Sequence, residues 1–567
     1  LANRKPGPLN WLPGFRLLLT YDRSNLAKDL TSGLVVVLVL IPSAIAYSDL
    51  AKCSPIAGLY AALGGMFVFA LFTSSRHVIV GPDAAVCILV GAAIGPFSDG
   101  DTGKTVALSA WLAFLVAIML MVAAWLRLGA AADFLSAPVM LGFMNGAAVV
   151  ILVSQLGKLS GIALHEENTL LKFLEWVSHF SQAHWPTLAI GLAGVAALAC
   201  LKRWVPRIPG TIVVFALAMI AGRAVDFKQW NMPVIGPVDT SMPSPVPPEL
   251  DLSDIGRLMV SALGLAMLIF PEGILLGRAM AQRHQYEIDP NRELFAMGMA
   301  NLAAGLFRGF AVAGSQSRTL LNSATGGRTQ LVSVIAALLL IVFVVFLASW
   351  IATLPVVAIA AILVFTAITL FEVKEVIQLW QKHRASAILS LSTSAGVIAF
   401  GVLPGILVGV VLSLLRLISQ IAHPHDAVLG RVPGSGAVHD LGDDSDAKVV
   451  PGLLIYRFYG PLVFANVRLF IERLNHHIAN ANQPVRQVVV DARAINDIDV
   501  TAVDQLRSYV AQLSDRQIAF VVAKASRPLR KTASRLGLRI TAPNAAYFPR
   551  LSDAVAAFER SETPSQK

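Results

Sequence analysis

Residues 310–330 read FAVAGSQSRTLLNSATGGRTQ, and they break an apolar chain with the polar run Ser315, Gln316, Ser317, Arg318 and Thr319. A lipid-facing helix does not tolerate that run. An arginine at bilayer depth costs at least about 2.5 to 3.5 kcal/mol on insertion scales, so Arg318 has to face protein, water or a bound anion. Ala313 and Gly314 read as extended backbone, and Ser317 to Thr325 as a short helix. A half-helix that starts inside the membrane aims unpaired N–H groups and the positive end of its dipole at whatever occupies the centre. That is the design of an anion site.

A second stretch repeats the design. Residues 77–95, HVIVGPDAAVCILVGAAIG, pass from a short extended run through Gly81 and Pro82 into an apolar helix too short to span alone. Pro82 suits a first helical turn, where its missing N–H costs nothing. Gly81 and Gly314 are separated by about the same interval as Ile41-Pro42-Ser43 and Phe270-Pro271-Glu272. Interrupted hydrophobic segments at matching positions of two halves point to a transporter's midplane site.

The composition agrees. The 567-residue chain is 56% hydrophobic and 14% charged, with a mean hydropathy of +0.67, values that define an integral membrane protein. The formal net charge of +10 resides largely in short loops between apolar runs, which is topology and not a nucleic-acid stripe. Cys53, Cys87 and Cys200 have no metal-ligand spacing and read as packing residues, so neither a disulfide framework nor a metal is expected. Residues 1–29 are basic and broken by prolines, which reads as a cytoplasmic N-terminal segment without a cleavable signal.

Apolar runs fall near residues 30–48, 56–73, 81–95, 105–127, 137–157, 186–203 and 211–225, then near 255–277, 292–310, 315–325, 329–350, 355–371, 384–403 and 405–422. This predicts an α-helical polytopic membrane protein with about 14 transmembrane segments, seven plus seven, over residues 30–423, in repeats of about 30–225 and 255–422. An odd number of spans per half makes the second repeat inverted. Residues 170–180, LLKFLEWVSHF, read as an amphipathic piece lying at the interface. The Pro-rich residues 232–250 read as an external loop between the halves. With the N-terminus in the cytoplasm, Arg4, Lys5, Arg76, Arg127, Lys202, Arg203, Arg278, Arg328, Lys374 and Lys382 are inside. The outer loops then hold chiefly Lys52, Lys104, Lys172, Lys228 and Arg308, which follows the positive-inside rule.

After residue 424 the composition changes. Residues 424–449, containing GSGAVHDLGDDSDAK, read as a polar linker, and residues 450–567 as a cytoplasmic α/β module. LLIYRFY, RQVVVDA and QIAFVVA read as strands, LSDAVAAFER as a closing helix, and a further helix starts near Asp499. Val467, Phe470, Ile471, Leu474 and Ile478 share one helical face.

These motifs resemble one family. DLTSGLVVVLVLIPSAIAYSDLAKCSPIAGLY, SSRHVIVGPDAA, YEIDPNRELFAMGMANLAAGLF and GSQSRTLLNSATGGRTQL occur in the order found in the sulfate permease (SulP) anion transporters, relatives of the vertebrate exchangers that include prestin. IYRFYGPLVFANVRLFIERL with VVVDARAINDIDVTAVDQL resembles their C-terminal STAS domain. The resemblance implies a core domain moving against a gate domain, and a homodimer.

It also implies roles. Ser317 and Arg318 match the family's anion-binding pair, Ser43 and Tyr47 its pocket-lining positions on the first segment, and Glu272 its acidic position for a coupling proton or sodium ion. Arg318 in an ion pair that merely joins two segments, and hydroxyls bonded to backbone carbonyls, are the structural alternatives. Glu272 lies in LGLAMLIFPEGILLG, and a carboxyl group in so apolar a run is a natural proton carrier. Asp83 departs from the family, which generally places an uncharged residue there. Protonated, Asp83 makes anion binding proton-linked; paired with Arg318, it lowers the site's charge; otherwise it caps the third helix. With Ala84 beside it, the substrate-binding set is Ser43, Tyr47, Asp83, Ala84, Ser317 and Arg318, with Glu272 and Asp83 for the coupling ion. Thr501, after Asp499 and Val500, is the residue left for STAS phosphorylation, with helix capping the competing role.

The expected protein is therefore a secondary active transporter of a small anion, of the sulfate, bicarbonate or dicarboxylate class, in the bacterial cytoplasmic membrane. Both termini are cytoplasmic, coupling is to protons, and no cofactor or nucleic acid takes part. An uncoupled anion channel, a sodium-coupled bicarbonate transporter and a non-transporting scaffold with STAS output are the alternatives. No nucleophile, base and orienting group occur together, so an enzyme is not expected.

Overall fold

A computed structural model describes residues 14–15, 19–98, 101–129, 136–205, 209–237, 252–432, 437–442, 447–538 and 547–562. The chain divides into two compact units, Leu1–Ser413 and Leu414–Lys567.

The first unit contains two runs of elements in the same order. The first run is α1 (Leu26–Leu50), α2 (Pro55–Phe72), β1 (Val80–Gly81), α3 (Ala84–Ser98), α4 (Thr102–Trp125), α5 (Ala137–Ser160), α6 (Thr169–Ser178), α7 (Trp185–Trp204) and α8 (Gly210–Ala224). The second is α9 (Leu252–Arg283), α10 (Pro290–Leu306), β2 (Ala313–Gly314), α11 (Gln316–Ala324), α12 (Leu331–Ile351), α13 (Val356–Leu370), α14 (Val373–Lys382), α15 (Arg384–Phe400) and α16 (Val402–Ala422), whose last turns enter the second unit. A helix covers each of the fourteen expected runs. Among the described residues, nine helices are long and apolar enough to cross a membrane. α3, at 15 residues, and α11, at 9, are too short to cross alone.

Each run also contains one short amphipathic helix at the same place. α6 is the expected interfacial piece. α14 was not anticipated, although Val373, Ile377 and Trp380 lie exposed on it at helical spacing. Of the expected outer loop, residues 238–250 lie outside the described residues; Val234 bridges to Pro355. Cys53, Cys87 and Cys200 are free, and Cys200 is exposed on α7 and so is not a packing residue.

β1 and β2 pair antiparallel, Val80 with Gly314 and Gly81 with Ala313. Buried polar side chains hold the extended backbone that feeds this two-residue ladder. Glu293, at the start of α10, accepts hydrogen bonds from the Thr73 hydroxyl at 2.8 Å, the Ser74 amide at 2.8 Å and the Ser75 amide at 3.0 Å. Asn322 donates to the His77 carbonyl at 2.8 Å, and Gln330 to the Ser75 and Val78 carbonyls at 3.0 and 2.9 Å. Across the ladder Asn301 accepts from the Val312 amide at 2.9 Å and donates to its carbonyl at 3.0 Å. Asp29 of α1 accepts from the Arg328 amide and the Thr329 hydroxyl, each at 2.7 Å. Irregular backbone at membrane depth survives only when its polar groups are satisfied in this way.

The second unit is a six-stranded sheet, β4-β3-β5-β6-β7-β8, made of β3 (Asp426–Arg431), β4 (Val438–Asp440), β5 (Leu453–Phe458), β6 (Gln487–Asp491), β7 (Ala519–Ala523) and β8 (Tyr547–Phe548). β5 to β8 run parallel, while β3 is antiparallel to both β4 and β5. Residues 424–449 are thus not the linker expected: they supply β3 and, at the edge of the sheet, β4, whose short alternation the charge run around residues 440–446 conceals. Leu454, Tyr456 and Phe458 face one core, with α17 (Val467–Ala479), α18 (Val500–Asp515) and α19 (Arg527–Arg535); Leu453 and Ile455 face the other, with α20 (Leu551–Glu562). On α17, Val467, Phe470, Leu474 and Ile478 are buried and Ile471 partly so, the face that periodicity gave.

Candidate anion site

Antiparallel strands only two residues long send α3 and α11 off in opposite directions from neighbouring origins, so the two N-termini converge beside the ladder. Ser315 is the N-cap of α11 without a side-chain hydrogen bond, which leaves the first-turn amides open on that side. On the other side Asp83 precedes α3 and accepts from the Ala85 amide at 3.2 Å, while its carbonyl accepts the first helical bond from Cys87 at 2.9 Å. The helix therefore begins at Ala84. Pro82 lies before the cap and not in the first turn, because Gly81 is committed to the ladder.

Arg318 extends from the first turn of α11 and is 1% exposed. Its Nη2 donates to the Pro82 carbonyl at 2.6 Å and its Nη1 to Ser43 Oγ at 3.4 Å. Nε is buried without a partner. A Cβ on Gly81 would sit 3.2 Å from Nη2, so a larger residue there would crowd the guanidinium. Among the described residues no carboxylate lies within ion-pair distance of Arg318, while Asp83 is near enough to act on it electrostatically. Its direct hydrogen-bond partners are a carbonyl and a hydroxyl, so no carboxylate is bonded to it.

Ser43 and Tyr47 come from α1, which Pro42 interrupts. The Ser43 hydroxyl donates to the Val39 and Leu40 carbonyls at 3.0 and 2.9 Å, so its hydrogen is committed to the backbone and its oxygen helps position Arg318. Tyr47 is half-buried, within the electrostatic reach of Asp83, Cys87 and Arg318, and lies against Thr366 of α13. Thr366 escaped the sequence reading because its helix is apolar apart from Thr366 and Thr369. Ala84 is buried at the first turn of α3. Ser317 is exposed, with its hydroxyl 3.4 Å from that of Ser315.

Glu272 follows Pro271 inside α9, and its neighbour Gly273 packs against Gly314 of β2. Its Oε2 is buried without a partner, and Asp83 is close enough to act on it electrostatically. The site thus joins one guanidinium bonded to no carboxylate, two helix N-termini and two carboxyl groups, one of which occupies an amide that an anion could use. The residues that strap the ladder, Asp29, Glu293, Asn301, Asn322 and Gln330, were not singled out from sequence. Each is a polar residue within or flanking an apolar run, which was the available signal.

Thr501 is in the second unit, exposed on the first turn of α18; Asp499 caps that helix by accepting from the Ala502 amide at 2.7 Å and also accepts from the Phe464 amide at 2.7 Å.

A helical membrane unit with two half-helices meeting at a buried arginine, joined to an α/β module, defines a class: multi-pass membrane carriers of anions. Residues 26–393 match the sulfate permease family and residues 444–554 the STAS domain, and the chain belongs to the sulfate permease family. It is 36% identical over 552 residues to a probable sulfate transporter of Mycobacterium tuberculosis, covering 97% of this chain and 98% of that one. The murine Solute Carrier 26 family member A9 anion transporter in the inward-facing state has the same fold, with a TM-score of 0.90 at 21% identity over 97% of this chain and 94% of that one. The transmembrane domain of the cyanobacterial bicarbonate transporter BicA matches 70% of this chain and 98% of its own with a TM-score of 0.60 at 21% identity. The relatives are transporters, not enzymes.

Proposed function

We propose that this protein is a proton-coupled secondary transporter of a small oxyanion, with sulfate the first candidate, working by alternating access in the bacterial cytoplasmic membrane. The observation that carries the proposal is the Arg318 Nε, buried without a partner where two half-helices begin. An oxyanion fits that place: it supplies the acceptor that Nε lacks, and it takes the open amides of α11. The full-length similarity to a probable sulfate transporter supports the choice of substrate.

Asp83 gives the coupling a physical form. Its carboxylate lies on an α3 amide and so resembles a tethered substrate. Proton uptake removes its charge, so anion and proton enter together. Glu272, with one oxygen unpartnered and Asp83 nearby, is the second proton carrier. Arg318, Ser43, Tyr47, Ala84 and Ser317 complete the substrate set, Ser43 by holding Arg318. Fourteen segments, cytoplasmic termini and a homodimer belong to the same proposal, with the STAS unit as dimer support or regulator.

Uptake of labelled sulfate, bicarbonate and a dicarboxylate into proteoliposomes at two external pH values, with and without sodium, tests it. The expected result is sulfate accumulation driven by an inward proton gradient without a sodium requirement. Sodium-dependent uptake indifferent to pH overturns the coupling, and failure to concentrate any anion against its gradient indicates an uncoupled channel.

A further inference from the structure

A second charged cavity lies away from Arg318. It has a volume of about 570 Å³ and is lined by Asp49, Lys52, Gln155, Lys158, Glu167 and Lys172, with Ile88 and Gly91 of α3 in its wall. Gly91 is seven residues beyond Ala84, so the cavity touches α3 about 10 Å from its N-terminus at 1.5 Å per residue. Asp49 lies two residues beyond Tyr47 on α1. The cavity is one step removed from the central site.

Its charges are unbalanced. Three lysines face two carboxylates. Lys158 of α5 is ion-paired with Asp49, and Gln155 Nε2 donates to the same carboxylate at 3.4 Å. Lys52 lies 3.7 Å from Glu167. Lys172 of α6 has no partner within ion-pair distance among the described residues; burial, then the neighbouring Lys52, pull its ammonium below the ordinary value, against the opposing pull of Glu167 and Glu175. Gln155 Oε1 is buried without a partner, so the wall's hydrogen bonding is incomplete without an occupant. Lys158 and Gln155 of α5 thus both bond Asp49 of α1, which ties the two helices together at the cavity.

We propose that this cavity is an entry site for the transported oxyanion, in which Lys158 exchanges Asp49 for the anion while Lys52 and Lys172 draw it in. The proposal rests on the transport reading for its direction, with the cavity on the outer side, where the loop charges place Lys52 and Lys172. Exchange of partner does two things. It holds the anion a short distance from Arg318, and it releases α1 from α5 so that the two can separate.

Two measurements test this in the full chain. The first is the KM for external sulfate in Lys172→Gln and Lys158→Gln at low ionic strength, where exposed charges are least screened. About a tenfold rise in each variant, with unchanged kcat in Lys172→Gln, which leaves the Lys158–Asp49 pair intact, and unchanged KM for sulfate loaded on the inside, is expected. Lys172 has no partner to orphan, so an unchanged external KM in that variant, or an equal rise on both sides, overturns the proposal. The second needs no transport. With Cys53 and Cys200 changed to Ala, Thr169→Cys places a thiol in the cavity wall. An impermeant anionic thiol reagent should label it at least about fivefold faster than a cationic one of similar size, and sulfate should slow the labelling. Equal rates, or no protection by sulfate, overturn the proposal even if Arg318 proves essential; loss of transport in Arg318 variants with this labelling pattern intact tells the two sites apart.

Discussion

Replacing Asp83 by Asn should convert a proton-linked anion site into one that ignores pH. Asn is sterically matched and caps helices as well as Asp, so the bond from the Ala85 amide and the start of α3 at Ala84 are kept. What changes is the charge. Two unit charges about 6 Å apart repel by about 3 kcal/mol at an effective dielectric constant near 20, which sets the order of the repulsion between the Asp83 carboxylate and an anion held beside Arg318. Removing that repulsion is worth about 100-fold in affinity wherever Asp83 is ionised. The assay is binding of radiolabelled sulfate to purified protein at pH 5 and pH 8. The parent should bind much more tightly at pH 5; the variant should bind at both pH values about as tightly as the parent does at pH 5. Glu272 faces the same space and leaves a smaller residual pH dependence, which Glu272→Gln in the same chain should remove. Proton-driven accumulation should fall even as affinity rises, because the anion no longer requires a proton. Weaker binding by Asp83→Asn at both pH values would refute the reasoning.

Other consequences can be tested alongside. Arg318→Gln should lower sulfate affinity by at least about 100-fold while leaving the melting temperature in detergent within a few degrees, since its fixed partners are one carbonyl and one hydroxyl. Glu272→Gln should abolish accumulation driven by a proton gradient but keep sulfate–sulfate exchange, measured as tracer counterflow. Glu293→Ala should cost roughly 3 kcal/mol or more, because it strips the acceptor from the Thr73, Ser74 and Ser75 donors inside the protein, and should show as a large drop in melting temperature. Asp499→Ala should destabilise the C-terminal unit by about 1 kcal/mol in denaturant unfolding, whereas Thr501→Ala should leave uptake unchanged.

The helices were legible because membrane burial writes itself as apolar runs, and every expected run is covered by one. The half-helices were legible for a related reason: Ser315 to Thr319 cannot face lipid, and Gly81-Pro82 cannot continue a helix. What escaped was set by tertiary partners. Pro82 was assigned to the first turn of α3 because its ring suits that position, but the ladder pairing of Gly81 moves the helix start to Ala84. An Asp83–Arg318 pair was open by charge alone, and geometry instead gives Asp83 to an amide and Arg318 to a carbonyl. β3 and β4 are only six and three residues long and β4 lies at the sheet edge, so little apolar alternation marks them. α14 was hidden because its charges, Lys374 and Lys382, were counted as loop topology while its exposed apolar face went unread. Buried straps such as Asn301 and Gln330 depend on which backbone groups lack partners, which only the folded chain decides.

The central claim is that an anion binds at Arg318, between the first turns of α3 and α11. Locating a heavy anion by anomalous scattering tests it most directly, with selenate as the oxyanion and bromide as the halide, in crystals grown at acid pH. The account predicts a selenate peak within hydrogen-bonding distance of Arg318 Nε and the open amides of α11, absent from Arg318→Gln crystals soaked alike. A selenate or bromide peak that avoids this place while transport continues, or one that persists there without the guanidinium, would contradict it.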